Sequence, residues 1–95
     1  MKATFSRRAK ADVRAIWKYS AERWGTQQAE IYLALLEAAT NAIAADPDVG
    51  RPSDDVRSGL RRYLVGSHVL FYRVKAKSTF VVRILHQRMD VERHL

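Results

Sequence analysis

Hydrophobic and polar positions change their period once along this chain. Lys2 to Phe5 suits a short strand, and Ser6 can cap a helix beginning at Arg7, because its hydroxyl accepts from the first free N–H groups. From Arg7 onward Ala9, Val13, Ile16, Trp17, Ser20 and Trp24 recur at helical spacing, with Arg8–Asp12 and Lys18–Glu22 as i,i+4 pairs on the wet side. Gly25 stands where a C-cap glycine belongs, and Thr26 can cap a second helix at once. The two helices then form a tight antiparallel hairpin.

The second helix runs from about Gln27 to Ala45. Its main stripe is Tyr32, Leu36, Ala39 and Ile43, flanked by Leu33; beside it lies a second stripe of Ile31, Leu35, Ala38 and Ala42. So wide an apolar arc favours a central, well-buried helix over a partner's groove. Asp46-Pro47 ends it, since the residue before proline leaves the helical region. Asp46 to Ser58 reads as a connector.

Beyond Gly59 the period becomes two. Gly66-Ser67 separates two runs rich in β-branched and aromatic residues, and glycine at the first loop position favours a primed hairpin turn. That turn pairs Val65 with His68, Leu64 with Val69, Tyr63 with Leu70, Arg62 with Phe71 and Arg61 with Tyr72. Cross-strand partners share a face. One face carries Tyr63, Val65, Leu70, Tyr72 and Val74, with Arg61 and His68 at its ends, and is the better core. The other carries Leu60, Leu64, Val69 and Phe71 among Arg62, Arg73 and Lys75, a greasy strip set among cations. After a short loop at Ala76-Lys77-Ser78, a third strand spans about Thr79 to His86. There Phe80, Val82 and Ile84 alternate with Val81, Arg83 and Leu85, and Arg83 places the second set on the basic face.

Helices in a block followed by strands imply an α+β fold: an N-terminal short strand and an antiparallel helical hairpin packed on an antiparallel sheet of three to four strands. The first strand must join one edge of the meander, and both edges are open to it. Ninety-five residues make one domain, 1–95, with a thin core. The absence of cysteine removes disulfides and thiolate metal sites and points to a reducing compartment. With no apolar span and no secretory leader, the expected location is the cytoplasm, away from membranes.

Charge changes the picture further. The chain carries 17 Lys and Arg against 10 Asp and Glu. Residues 51–95 hold 10 of those cations and only 4 of the acids, so the positive field belongs to the strand half. Such a field attracts nucleic acid or an acidic protein partner, and also serves plain solubility.

Enzyme signatures are sparse. Of His68, His86 and His94, His86 has a carboxylate at a zinc-like spacing, Asp90, but that pair spans a strand end and a tail. No metal or other cofactor is expected. There is no glycine-rich phosphate loop and no nucleophile elbow, and Asp54-Asp55 lie in a loop. One constellation remains: Arg62, Arg73, Arg83, His86 and Arg88. Guanidiniums gathered there can clamp phosphate or carboxylate, and His86 can serve as acid or base beside a scissile phosphate. A solvated charged face or plain binding is favoured over catalysis.

The ordered set Gly50-Arg51-Pro52, Leu60-Arg61-Arg62-Tyr63, Val65 through Val74 and Arg83 through Asp90, with Trp17, Tyr19, Trp24-Gly25 and Ala29 in the hairpin, resembles the ParE toxins of the RelE/ParE superfamily over essentially the whole chain. The resemblance implies the toxin of a chromosomal or plasmid toxin–antitoxin pair. It implies neutralisation by a ParD-like antitoxin whose C-terminal segment wraps the toxin, and DNA gyrase as the target. Operator DNA is reached only through the antitoxin. On this reading Arg62, Arg73, Arg83, His86, Arg88 and Arg93 face the target, while Ile31, Leu35, Ala38, Leu60, Leu64, Val69 and Phe71 seat the antitoxin.

The sister branch, the RelE-type ribosome-dependent mRNA nucleases, is the alternative. Those place a basic residue early in the central strand, an arginine after the last strand and a tyrosine in the tail. Here Val69 occupies the first position, Arg88 matches the second, and the third falls near His94, with no tyrosine after Tyr72. The missing central cation removes charge meant for a transition-state phosphate, so no catalytic residue is assigned. A third possibility is a toxin fold that has lost toxicity and only assists repression.

Overall fold

The computed structural model describes residues 2–95. In order the elements are β1 (Lys2–Phe5), α1 (Arg7–Trp24), α2 (Thr26–Ala45), β2 (Arg51–Pro52), β3 (Leu60–Val65), β4 (His68–Lys75), β5 (Ser78–His86) and α3 (Val91–His94). The sheet has five strands in the order β1-β5-β4-β3-β2. β1 joins the β5 edge in parallel. The strand beyond the expected three to four is β2, two residues inside the connector that pair with Arg61 and Arg62. Pro52 keeps it short, since proline has no N–H to extend a ladder.

The β3–β4 hairpin has the register expected from Gly66-Ser67, down to Val65 opposite His68. Gly66 adopts φ +58°, the positive value a primed turn requires. Ser6 caps α1, accepting from the Ala9 N–H at 2.9 Å. Gly25 ends that helix at φ +93°, its N–H donating to the Ala21 carbonyl. Thr26 is not a cap: it is the first residue of α2, whose N-terminus has no side-chain hydrogen bond.

Both helices lie on the sheet face chosen as the core. Leu36, Ala39 and Ile43 of α2 pack on Val65, Leu70 and Tyr72, with Val13, Ile16 and Tyr32 closing the rim. Tyr72 is wholly buried, and its hydroxyl donates to the Pro47 carbonyl at 2.6 Å and accepts from the Gly50 N–H at 3.0 Å. The main chain after α2 is thereby tied to the middle of the sheet.

Two features depart from simple alternation. Phe71 pairs with Arg83 but Tyr72 with Val81, leaving Val82 as an extra residue on β5. The bulge turns Val81 toward the helices, where it is fully buried. Val81 therefore leaves the basic face, while Arg83 and Leu85 stay on it opposite Phe71 and Val69. The second departure is that the other sheet face is partly covered. Leu60, Phe71 and Leu85 form a second small core beneath Val56 of the connector and Val91 and Leu95 of the C-terminus. Arg83 donates to the His94 carbonyl at 2.6 Å, and Arg57 to the Leu95 carbonyl, which fastens that cover. Among the described residues no helix is long and apolar enough to cross a membrane.

Candidate functional site

The six side chains expected to face a target do not form one free clamp. Arg62 donates to Ser53 Oγ at 2.5 Å and lies 3.6 Å from Asp55. Arg73 donates to the Ser58 carbonyl at 2.6 Å. Both hold the connector against the sheet. Arg83 binds Asp12 of α1 through Nε and Nη2, each at 2.8 Å. Helical spacing pairs Asp12 with Arg8 on the wet side of α1; the carboxylate instead reaches the edge of β5 that β1 leaves unpaired. Of the six, only Arg88 and Arg93 are exposed, and His86 is half-buried elsewhere.

The residues expected to seat an antitoxin separate too. Leu60 and Phe71 are each 1% exposed, so the strip is not open to water at those positions. The sequence pattern places them on the face away from the helices but does not reveal that Val91 and Leu95 fold back over it. Leu64, at 60%, remains exposed, and Val69 is partly so. On α2, Ile31 and Leu35 are about half exposed, and Ala38 is exposed with them. The second stripe of α2 is thus not buried, against the favoured reading of its wide arc. These helix positions and the Leu64–Val69 positions lie on opposite sides of the layered fold.

A groove of about 920 Å³ lies at one end of the molecule. α1 supplies Ile16, Tyr19 and Trp24, while α2 supplies Tyr32. Ser67 comes from the hairpin turn, His68 from the start of β4, His86 from the end of β5 and Met89 from the turn after it. The hairpin register brings the two histidines together, since His68 pairs directly with His86 across β4 and β5. Their rings meet edge to face at 5.4 Å. The Tyr32 hydroxyl lies 2.6 Å from His68 Nδ1 and accepts from the Ser67 N–H at 3.0 Å. His86 Nδ1 accepts from the Arg88 N–H at 3.2 Å. Burial, then the nearby His86, pushes His68 below the ordinary histidine value, while Asp12 opposes them. Its imidazole is therefore neutral at neutral pH.

Sequence reasoning names His86 but assigns it to a basic face, and misses the groove. Tyr19 and Trp24 are 56% and 61% exposed, which is unusual for large aromatics on a helix that packs against a core. Their rings meet edge to face at 5.9 Å, and the Arg23 guanidinium lies 5.9 and 5.7 Å from them. The aromatic cluster Tyr19–Trp24 at the end of α1 is the signal that could have found it.

A family model described as the ParE toxin of the type II toxin–antitoxin system parDE matches residues 3–91. Toxin ParE1 of Mycobacterium tuberculosis strain H37Rv is 50% identical over 88 residues, covering 92% of this chain and 90% of that protein. Toxin ParE1 of Caulobacter vibrioides is 48% identical over 90 residues, covering 95% and 93%. Among solved structures, a chromosomal ParDE toxin–antitoxin system from P. aeruginosa superposes with a TM-score of 0.78 at 24% identity, covering 90% of this chain and 95% of that one. The toxin–antitoxin complex RelBE2 from Mycobacterium tuberculosis superposes at 0.65 and 21%, covering 90% and 96%. Those two likenesses show the fold. With the family model spanning nearly every element described above and relatives near half identity, the chain belongs to the ParE toxin family of type II toxin–antitoxin systems.

Proposed function

We propose that this toxin acts by binding DNA gyrase without cutting nucleic acid, and that a ParD-like antitoxin made beside it holds it in check. The observation that carries this reading is the state of the arginines. Arg62, Arg73 and Arg83 each bind the chain's own oxygens, and Val69 stands where the RelE branch places a central-strand cation. A phosphate clamp needs guanidiniums that are free and convergent. The surface offers instead apolar area beside positive charge, which suits protein partners.

The antitoxin's seat is the exposed stripe Ile31, Leu35 and Ala38, extended by Leu64 and Val69 on the other side of the fold. A segment that wraps the toxin can reach both. Leu60 and Phe71 join only if that segment displaces the C-terminal cover. The toxin contacts operator DNA through the antitoxin, and Arg88, Arg93 and His86 lie on its target-facing side. The test is induction in cells lacking the antitoxin. Growth arrest with accumulated gyrase–DNA cleavage complexes and intact mRNA is the expected result. Arrest with cut mRNA would replace this reading with the ribosome-dependent nuclease, and harmless expression would leave only a role in repression.

A further inference from the structure

We infer that the Tyr19–Trp24–Met89 groove is an anchor pocket that takes one bulky apolar side chain from an acidic segment of the toxin's target protein. The inference rests on the proposal that the toxin acts by binding a protein, and it moves the centre of that contact from the basic sheet face to this groove.

The floor favours an apolar guest. Its lining is mostly apolar, and several of its polar atoms are already paired: Tyr32 with His68 Nδ1 and the Ser67 N–H, His86 Nδ1 with the Arg88 N–H. A polar ligand competing for those paired atoms would have to break these bonds, whereas an apolar side chain gains by leaving water. Neutral His68 adds no charge that would oppose such a guest.

The walls are suited to gripping it. Tyr19 and Trp24 are exposed yet held in place by each other and by Arg23, so little freedom is lost when they are covered. Met89, 45% exposed, supplies an adaptable side chain at the rim. Aromatics, methionine and arginine are the residues enriched at the energetic centres of protein interfaces.

Charge specifies the flanks. After Asp12, the exposed charges of α1 are Arg14, Lys18 and Arg23 against Glu22 alone. In the tail Arg88 and Arg93 balance Asp90 and Glu92, so the local excess comes from α1, within a chain that carries +7 overall. A partner segment with acidic residues around its anchor meets a favourable field. None of the residues assigned to the antitoxin's seat, Ile31, Leu35, Ala38, Leu64 and Val69, lines the groove.

The experiment compares wild type with Trp24→Ala and Met89→Glu, both changes at exposed positions, after thermal melts confirm folding. Affinities for purified gyrase and for the antitoxin are measured. In parallel, an acidic dodecapeptide with a central Phe, and its central-Ser twin, are titrated while tryptophan fluorescence is followed in wild type and in Trp24→Ala, whose difference isolates Trp24 from Trp17. Both variants should weaken gyrase binding about tenfold or more, as expected for a hot spot. Antitoxin affinity should stay within about twofold, because the sites share no residue. The Phe peptide should perturb Trp24 and the Ser peptide should not. Binding of the Phe peptide by a wild type that ignores gyrase would support the pocket and sink the choice of target. Unchanged gyrase affinity in both variants overturns the pocket while leaving the target standing. Loss of antitoxin binding instead, or equal response to both peptides, also overturns it.

Discussion

Asp12 on α1 and Arg83 on β5 form a two-pronged ion pair at 2.8 Å, although 71 residues separate them in the chain. The pair is largely shielded from water, and Asp12 Oδ2 also accepts from the Ile84 N–H at 2.9 Å. One carboxylate therefore closes the edge of β5 just past its bulge and locks the first helix to the last long strand. Ser6 completes the seam, donating to the Val82 carbonyl at 2.6 Å.

Removing one partner strands the other. Arg83→Ala leaves Asp12 without its cation, and Asp12→Ala leaves the Nε and Nη2 donors of Arg83 and the Ile84 N–H unmet, with only the bond to the His94 carbonyl kept. Each change should destabilise the fold by about 2 kcal/mol or more. Urea unfolding of both single variants and the double variant checks this, and the double variant should lose clearly less than the sum.

Phe71 and Leu64 sit on the same sheet face but should respond oppositely to charge. Phe71→Asp buries a carboxylate among Leu60, Leu85 and Val91, and should cost about 4 kcal/mol or more, enough to unfold a domain of this size. Leu64→Asp, at an exposed position, should change stability by about 0.5 kcal/mol or less. Circular dichroism melts distinguish the two. A folded Phe71→Asp protein would mean that the C-terminal cover does not hold.

His68 makes stability depend on pH in a defined direction. Its folded value is lowered below the ordinary 6.5, chiefly by burial and then by His86, with Asp12 opposing. The unfolded chain therefore takes up a proton at higher pH than the folded one. As pH falls below 6.5 this site destabilises the fold, and the effect levels off once the folded ring is protonated too. Above 6.5 the site contributes no slope. Wild type should lose melting temperature relative to His68→Gln across that window, and the gap should be constant at higher pH.

Gly66 is confined by its turn and by Tyr32. Its φ is +58°, and a Cβ there would lie 2.6 Å from the Tyr32 hydroxyl. Gly66→Ala should destabilise by about 1–3 kcal/mol and push Tyr32 off His68. A melt, together with the imidazole NMR signals of His68, reports both effects.

Local rules carry most of the fold. The helical hairpin, the Gly66-Ser67 turn and the hairpin register follow from period, capping residues and turn chemistry, each confined to a few neighbouring positions. The features that escape sequence reading depend on distant parts meeting. The bulge at Val82 answers to Ser6, and Asp12 takes Arg83 over its helical neighbour Arg8. The cover on Phe71 comes from Val91 and Leu95, which in the sequence lie in the tail beyond the last strand. Of the site, His86 is visible as chemistry, but its partner His68 reads only as the end of the core face. The groove exists only once the end of α1 meets the end of β5.

The proposed mode of action is that the toxin grips a protein and breaks no bonds. Its most direct test is supercoiling by purified gyrase, with and without the toxin, with purified ribosomes translating a labelled mRNA in a parallel reaction. Inhibited supercoiling and trapped cleavage complexes, both reversed by antitoxin, with the mRNA left whole, are the expected result. Full supercoiling beside a cleaved mRNA would contradict it.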